Sequence, residues 1–221
     1  MITYYTNRRT KIERKCSSME RNFFIMTQAV AITCPGCGER LTLEMKKCPS
    51  CHGPVTISTF NSVYSMSPLD TNKYANAYRK ALSENPNDKS LNISIALCYL
   101  KLNLYDKALP AFEKAIEDNF DNSEAFFYAA VCLLKGKKAF LQPRPIIDKI
   151  IEYIDAAIMI DPKGIYYYFL AYIKYDYFAR KSYITSPNYE ETLIMARQAG
   201  FTDLDTAQLF DILHIEKPAC L

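Results

Sequence analysis

The stretches YRKALSENPND, residues 78–88, and FEKAIEDNFDN, residues 112–122, repeat one pattern, so that position 112 corresponds to position 78. Each has an aromatic residue, an alanine three positions later, an aliphatic residue and a turn that contains asparagine. A third copy, IDAAIMIDP at residues 154–162, keeps the aliphatic, alanine and proline positions. A period of about 34 residues is typical of stacked helix-turn-helix repeats. The sequence therefore predicts a mainly α-helical chain built from repeated pairs of helices.

The unit that spans residues 89–120 shows the repeat most completely. Its two predicted helices carry small and aromatic residues at regular spacing: Ile95, Ala96 and Tyr99 on the first, and Ala108, Phe112 and Ala115 on the second. This pattern resembles the tetratricopeptide repeat, in which a small residue lies where paired helices cross. The resemblance implies a right-handed α-α superhelix of eight helices, with a concave surface that binds a protein or peptide partner.

Local signals set the remaining helix limits. Ser123 is a predicted N-cap of the second unit, whose two helices are separated by an enlarged loop over residues 136–145. Residues 165–178 and 189–199 form the third unit, with Gly200 as a C-terminal stop. A last helix, capped by Thr202 or Asp203, is predicted to end at Leu213, and a lone helix over residues 70–83 precedes the repeats.

A second motif lies ahead of the repeats. Cys34, Cys37, Cys48 and Cys51 form two Cys-x-x-Cys pairs separated by ten residues, which is metal-ligand spacing rather than a disulfide framework. Residues 40–46 and 54–60 are predicted short strands, so residues 31–60 resemble a small β zinc ribbon. Four thiolates close a tetrahedral shell, which implies structural Zn²⁺ and no catalytic water.

Other interpretations of the cysteines stay open at this point. A rubredoxin-like iron site uses the same ligands. A redox Cys-x-x-Cys would open a helix after a parallel strand, a context that this sequence does not predict. A faint lipoprotein-signal pattern ends at Cys34, but its apolar region is short and is broken by Thr27 and Gln28. His52 is interpreted as a turn residue and not as a ligand.

Charge is concentrated at the beginning of the chain. Residues 1–25 carry four more Lys and Arg than Glu, whereas the whole chain has a net charge of +3, so the remainder is close to neutral. The charge of the folded part therefore gives little support to nucleic-acid binding. Residues 1–30 are interpreted as a disordered or wrongly annotated leader, with Met19 or Met26 as alternative starts. No apolar run reaches the roughly 20 residues that a membrane span needs.

The tetratricopeptide resemblance also implies which residues line the partner-binding groove. By helical phase these are Ile93, Leu97, Lys101, Phe127, Val131, Lys135, Tyr166, Phe169, Ile173 and Tyr177. The set is mainly apolar and rich in tyrosine. Some family members clamp a terminal carboxylate with Lys, Asn and Arg, and the corresponding residues here are mostly Ile, Leu and Tyr, which does not favour that function. No phosphate loop, nucleophile elbow or paired-carboxylate motif is present, so the sequence does not predict an enzyme.

The leading hypothesis is a cytoplasmic, bacterial-type adaptor that binds a protein through its repeats, residues 71–215. A linker over residues 61–70 would join them to the ribbon, and residues 216–221 would form a tail. The alternative is a nucleic-acid-associated factor that uses exposed cations of the ribbon and of the enlarged loop: Arg40, Lys46, Lys47, Lys135, Lys137, Lys138 and Arg144. The oligomeric state is not predicted.

Overall fold

Helices make up most of residues 31–117 and 121–221, the part of the chain that this computed structural model describes. They are α1 (Phe60–Tyr64), α2 (Pro68–Glu84), α3 (Lys89–Lys101), α4 (Tyr105–Ile116), α5 (Ser123–Leu134), α6 (Arg144–Ile160), α7 (Gly164–Ile173), α8 (Tyr189–Ala199) and α9 (Asp203–Leu213). Within these ranges eight helices have ten residues or more, which confirms the predicted mainly helical fold. None of the helices described is both long and apolar enough to cross a bilayer. The predicted leader, residues 1–30, lies outside the described residues.

Consecutive helices pack against one another as pairs: α3 with α4, α5 with α6, and α7 with α8. We call α3, α5 and α7 the first helices and α4, α6 and α8 the second helices. A 3₁₀ turn, Ala139–Leu141, lies in the enlarged loop between α5 and α6. Helix α7 continues into a π-helical turn, Lys174–Phe178, and a 3₁₀ turn, Ala179–Lys181.

Side-chain caps explain where several helices begin. Asp88 caps α3 by accepting the backbone N–H of Leu91, and Asn188 and Thr202 form complete capping boxes at α8 and α9. The predicted stop at Gly200 and the predicted end at Leu213 are confirmed. The predicted cap at Ser123 is wrong, because the preceding Asn122 accepts the Ala125 N–H and Ser123 is the first helical residue.

Fully buried alanines allow each first helix to approach its neighbours. Ala96, Ala130 and Ala171 lie at corresponding places in α3, α5 and α7, and all three have no exposed surface. The second helices contribute larger side chains to the same core, including Phe112 and Ile150, which are also fully buried. The repeat pattern of small and bulky residues therefore corresponds to one continuous interior.

The ribbon has less sheet than predicted. Strands β1 (Ala31–Thr33) and β2 (Arg40–Thr42) pair antiparallel, with Ile32 opposite Leu41. The predicted strand over residues 54–60 is wrong, since Pro54 makes only an isolated bridge with Lys47 and the chain then bends into α1. The apolar residues of this segment are buried without forming a strand: Val55 and Ile57 are almost completely inaccessible to solvent.

The ribbon packs onto the beginning of the helical stack. Ser94 of α3 accepts the backbone N–H of Ile57 at 2.9 Å, and the same hydroxyl lies 3.0 Å from the Ile57 carbonyl. Tyr74 of α2 reaches Gly53, where a Cβ atom would lie only 2.8 Å from the tyrosine oxygen. Residues 61–70, predicted as a linker, thus contain most of α1 and the first turn of α2, and the ribbon rests on α2 and α3.

Ser94→Ala is expected to lower the free energy of unfolding by about 1–3 kcal/mol, because the buried Ile57 N–H loses its acceptor. Urea denaturation monitored by circular dichroism measures this loss. Ser90→Ala is the matched control, since Ser90 is an exposed serine on the same helix and should change stability by less than about 0.5 kcal/mol. Equal effects of the two substitutions would contradict the proposed contact between ribbon and repeat.

Candidate metal centre and protein-binding face

Each cysteine pair lies in a tight turn, and the two turns share one hydrogen-bond pattern. The bonds are Cys34 N–H to Glu39 O (2.7 Å), Gly38 N–H to Cys34 O (3.0 Å), Cys48 N–H to Gly53 O (2.8 Å) and His52 N–H to Cys48 O (2.9 Å). Gly38 and His52 occupy the equivalent position and both have positive φ, +83° and +59°. The predicted role of His52 as a turn residue agrees with this geometry.

The two turns bring all four sulfur atoms together. Cys34 Sγ lies 3.4 Å from Cys51 Sγ, and Cys37 Sγ lies 3.6 Å from Cys48 Sγ. All four Sγ atoms lie within 4.8 Å of one another. Tetrahedral thiolates about 2.3 Å from an ion would lie about 3.8 Å apart. The cluster therefore has the ligand type, number and spacing to hold a metal ion.

The charge of the cluster favours a cation as well. Backbone N–H groups of Cys51 and Ser50 lower the pKa of the Cys48 thiol to about 7. At Cys37 the Glu39 N–H acts in the same direction, but desolvation and the neighbouring Cys48 sulfur outweigh it and raise the thiol pKa to about 12. Several adjacent thiolates repel one another, and a divalent ion removes that repulsion.

Two other cysteines have a different environment. Cys98 and Cys132 lie at equivalent places in α3 and α5, one repeat period apart, and are completely buried. Burial raises the pKa of the Cys98 thiol to about 12 and that of Cys132 further still. Both are therefore neutral, unreactive core residues between helices, as the sequence predicts.

The buried alanines show which residues of the three first helices occupy equivalent positions. Three positions on each first helix lie on the same side of the helix: the residue three before the alanine, the residue one after it and the residue five after it. They are Ile93, Leu97 and Lys101 in α3, Phe127, Val131 and Lys135 in α5, and Tyr168, Tyr172 and Asp176 along α7 and its π-helical extension. We call these nine residues the first-helix face. In α3 and α5 it coincides with the lining that the tetratricopeptide resemblance implies for partner binding.

The predicted lining differs from this face in the third repeat. Tyr166 and Phe169 pack against Phe127 of α5, with ring centroids 4.7 and 5.7 Å away, so they belong to the contact between neighbouring helices. Of the ten predicted lining residues, three keep access to solvent: Ile93, Lys101 and Lys135. The other seven are buried: Leu97, Phe127, Val131, Tyr166, Phe169, Ile173 and Tyr177.

Helix α1 covers one end of the first-helix face. Phe60 packs against Tyr128 of α5 with ring centroids 5.4 Å apart, and the Lys101 ammonium lies 4.5 Å from the centre of the Tyr64 ring. Burial, together with the nearby Asp211 carboxylate of α9, raises the pKa of Tyr64. Helices α1 and α9 therefore meet on this surface.

Helix α9 covers the other end of the face. The Phe210 ring lies 6.2 Å from Tyr168 and 5.6 Å from Tyr172, in edge-on contact with both. The Tyr105 hydroxyl donates a 2.7 Å hydrogen bond to the carbonyl of Ile212. Leu209, Phe210, Ile212 and Leu213 are all buried as a result. The sequence predicted α9 itself but not its position across the first helices.

A cavity of about 140 Å³ remains between the covering helices and the face. Residues from α1, α5, α7 and α9 line it, among them Asn61, Glu124, Tyr128, Lys163, Tyr166 and Asp205. Lys163 Nζ lies 3.3 Å from a Glu124 carboxylate oxygen and 3.2 Å from one of Asp161. The cavity therefore combines aromatic walls with a charged rim.

The loop cations of the nucleic-acid alternative are partly neutralised. Lys135 pairs with Asp106 at 2.5 Å and Arg144 pairs with Asp148 at 2.7 Å, whereas Lys137 and Lys138 are exposed. Ion pairing lowers the positive potential that phosphate binding needs, so this loop gives that alternative little support.

Comparison with known proteins adds to the geometry. A family model described as tetratricopeptide repeat matches residues 75–124 and 95–139. Among solved structures, MamA MSR-1 C2 aligns at 18% identity over 64% of this chain and 68% of that chain, with a TM-score of 0.42. A search of curated proteins finds no match. Residues 75–139 of this helical-repeat chain thus match tetratricopeptide repeats, and the clustered cysteines are compatible with a zinc-ribbon head.

Proposed function

We propose that the protein is a non-enzymatic interaction scaffold that binds another protein through its first-helix face. The observation that carries this proposal is the common phase of three successive first helices, each anchored by a fully buried alanine. Stacked helix pairs of this kind present one extended surface to a partner. An amphipathic helix or an extended peptide is the ligand class that such a surface accommodates.

The ribbon is proposed to bind Zn²⁺ and to act as an N-terminal cap. Four thiolates at tetrahedral spacing suit Zn²⁺ as a structural ion, with no open position for water. Two contacts support a capping role. The Ile57–Ser94 hydrogen bond ties the ribbon to the first repeat, and the packing of Tyr74 on Gly53 ties it to α2, the helix before that repeat. Free thiols and a zinc site are typical of a reducing compartment, which supports a cytoplasmic location.

Site-specific photo-crosslinking in native cells tests the scaffold function. A photoreactive amino acid at position 93 or 101 of the full chain is expected to give discrete crosslinked protein bands, since Ile93 and Lys101 lie at the accessible part of the face. Met159 on α6 is 87% exposed and lies outside the face, so the same label there serves as the control. Bands that form at position 159 alone, or at no position, would refute the proposal.

A further inference from the structure

Helix α9 occupies the first-helix face in the manner of a bound ligand. Its contact with the face is made by one side of the helix, where Leu209, Phe210 and Leu213 are buried, while Leu204 on the same helix is 64% exposed. An apolar stripe at this spacing is how an amphipathic helix lies in a groove. The surface that a partner would use is therefore already covered by the chain itself.

The fit between α9 and the face is incomplete. The Tyr168 side chain is 1% exposed, yet its hydroxyl has no hydrogen-bond partner within the described part of the chain. A buried, unpaired hydroxyl is unfavourable, because it gives up its hydrogen bonds to water and gains none in return. The 140 Å³ cavity beside α9 adds unfilled space at the same surface. A helix with a better-matched surface could therefore bind here more tightly than α9 does.

Helix α9 also has the construction of a detachable element. Its N-terminus carries its own capping box, in which Thr202 N–H donates to Asp205 at 2.8 Å and Asp205 N–H donates to Thr202 Oγ1 at 3.2 Å. The connection to α8 runs through Gly200, which has a φ of +82°. The cap stays intact when the helix leaves the face, because both partners of the box move together with α9.

We propose that α9 is a replaceable occupant of the first-helix face and that an amphipathic helix of a partner protein takes its place. The replacing helix would bring an aromatic side chain to the Tyr168–Tyr172 pair and a hydrogen-bond acceptor to the Tyr168 hydroxyl. A second copy of α9 would leave that hydroxyl and the cavity as they are, so a foreign helix is the better occupant. This inference rests on the proposed scaffold function and specifies its partner class.

A labelled synthetic peptide with the sequence of residues 201–215 is the probe. Its affinity for the full chain is measured by fluorescence anisotropy. In the wild-type chain the peptide competes with α9. Only molecules in which α9 has left the face can bind the peptide, so the smaller that fraction is, the weaker the apparent affinity becomes. Phe210→Ala weakens the internal helix, and we expect the peptide to bind this variant about tenfold more tightly or better. Leu204→Ala is the matched control and should bind the peptide as weakly as wild type.

Hydrogen exchange on the intact wild-type chain gives an independent measurement, which holds even if Phe210→Ala fails to fold. Amides of α9 are expected to exchange through local opening, well before those of α3 and α5. Tyr168→Phe removes the unpaired hydroxyl and should slow exchange in α9 about fivefold or more. For a merely structural α9, Tyr168→Phe would leave the exchange rate of its amides unchanged.

The outcomes separate the ideas. Equal peptide affinity for wild type and Phe210→Ala, or α9 exchange that requires global unfolding, would overturn the replaceable helix while leaving the crosslinking result intact. Wild-type dimers that form with rising concentration and take up the peptide would identify a second copy as the occupant and overturn the foreign helix. If the peptide binds Phe210→Ala more tightly but crosslinking at positions 93 and 101 captures no protein, the replaceable helix stands and the proposed scaffold function is wrong.

Discussion

Gly164→Ala is expected to lower the free energy of unfolding by about 3 kcal/mol or more. A Cβ atom at position 164 would lie 2.2 Å from the Gly200 carbonyl oxygen and 2.7 Å from that of Ala196. Both atoms belong to the backbone, so no rotation of a side chain relieves the clash. The start of α7 and the end of α8 must then move apart. For a chain of this size the change corresponds to a fall in Tm of roughly 6–12 °C.

The expected sign is opposite to that of helix propensity, under which alanine stabilises a helix by about 1 kcal/mol relative to glycine. Thermal unfolding of the two proteins measures the difference. Asp203→Ala is the control, because Asp203 is likewise the first residue of a helix but is exposed, and its loss should cost less than about 1 kcal/mol. A more stable Gly164→Ala protein would show that α7 and α8 do not approach this closely.

Removal of the metal is expected to unfold the ribbon and to leave most of α3–α9 folded. The ribbon has only a small apolar core of its own, including Ile32, Leu41 and Val55, so metal binding supplies much of its folding free energy. A chelator should expose the ribbon amides to hydrogen exchange, and Cys48→Ser should have the same effect. Elemental analysis should find about one Zn²⁺ per chain before chelation.

His52→Gly is the matched control for the cysteine substitution. It should keep the metal, because His52 serves the turn through its positive φ and glycine adopts that conformation without strain. Metal affinity should also weaken as the pH falls from about 8 to 6, since thiols such as Cys37, whose pKa is raised to about 12, must lose protons to bind. Iron in place of zinc, or a ribbon unchanged by chelation, would contradict the structural zinc site.

Features with a local cause could be predicted from the sequence. The Cys-x-x-Cys spacing predicted the sulfur cluster because each pair is confined to one turn, and the structure brings the two turns together. Gly200 correctly predicted the end of α8 and Thr202 the beginning of α9, because a C-terminal glycine and an N-cap each affect only the few residues next to them. Within residues 31–117 and 121–221, the long helices were likewise predicted correctly in number and order.

The phase of the third repeat could not be predicted in the same way. Ala96 and Ala130 are one repeat period apart, but the interval from Ala130 to Ala171 is longer because the loop before α6 is enlarged. Aromatic residues lie on every side of α7, so its hydrophobic pattern does not indicate a unique face. The family match ends at residue 139, inside that loop, which agrees with an interrupted period.

Contacts between distant residues were also beyond prediction. Gly164 follows Pro162 and Lys163 and has the appearance of a turn glycine, yet its role depends on Gly200 at the end of another helix. The strand predicted at residues 54–60 failed because Val55 and Ile57 pack into the molecule without a neighbouring strand. An alternating pattern indicates that one side of the segment is buried, but it does not indicate whether a neighbouring strand or another part of the molecule packs against that side.

The contact between the ribbon and α3 sets an order of events during synthesis. Ser94 lies 37 residues after Ile57, so at about 5–20 residues per second the ribbon is complete roughly 2–7 s before its hydrogen-bonding partner has been made. During that interval α3 cannot support it. The metal that we propose for the four-cysteine cluster would therefore stabilise the nascent ribbon before the contact with α3 exists, and a shortage of metal would act on the growing chain earlier than on the finished protein.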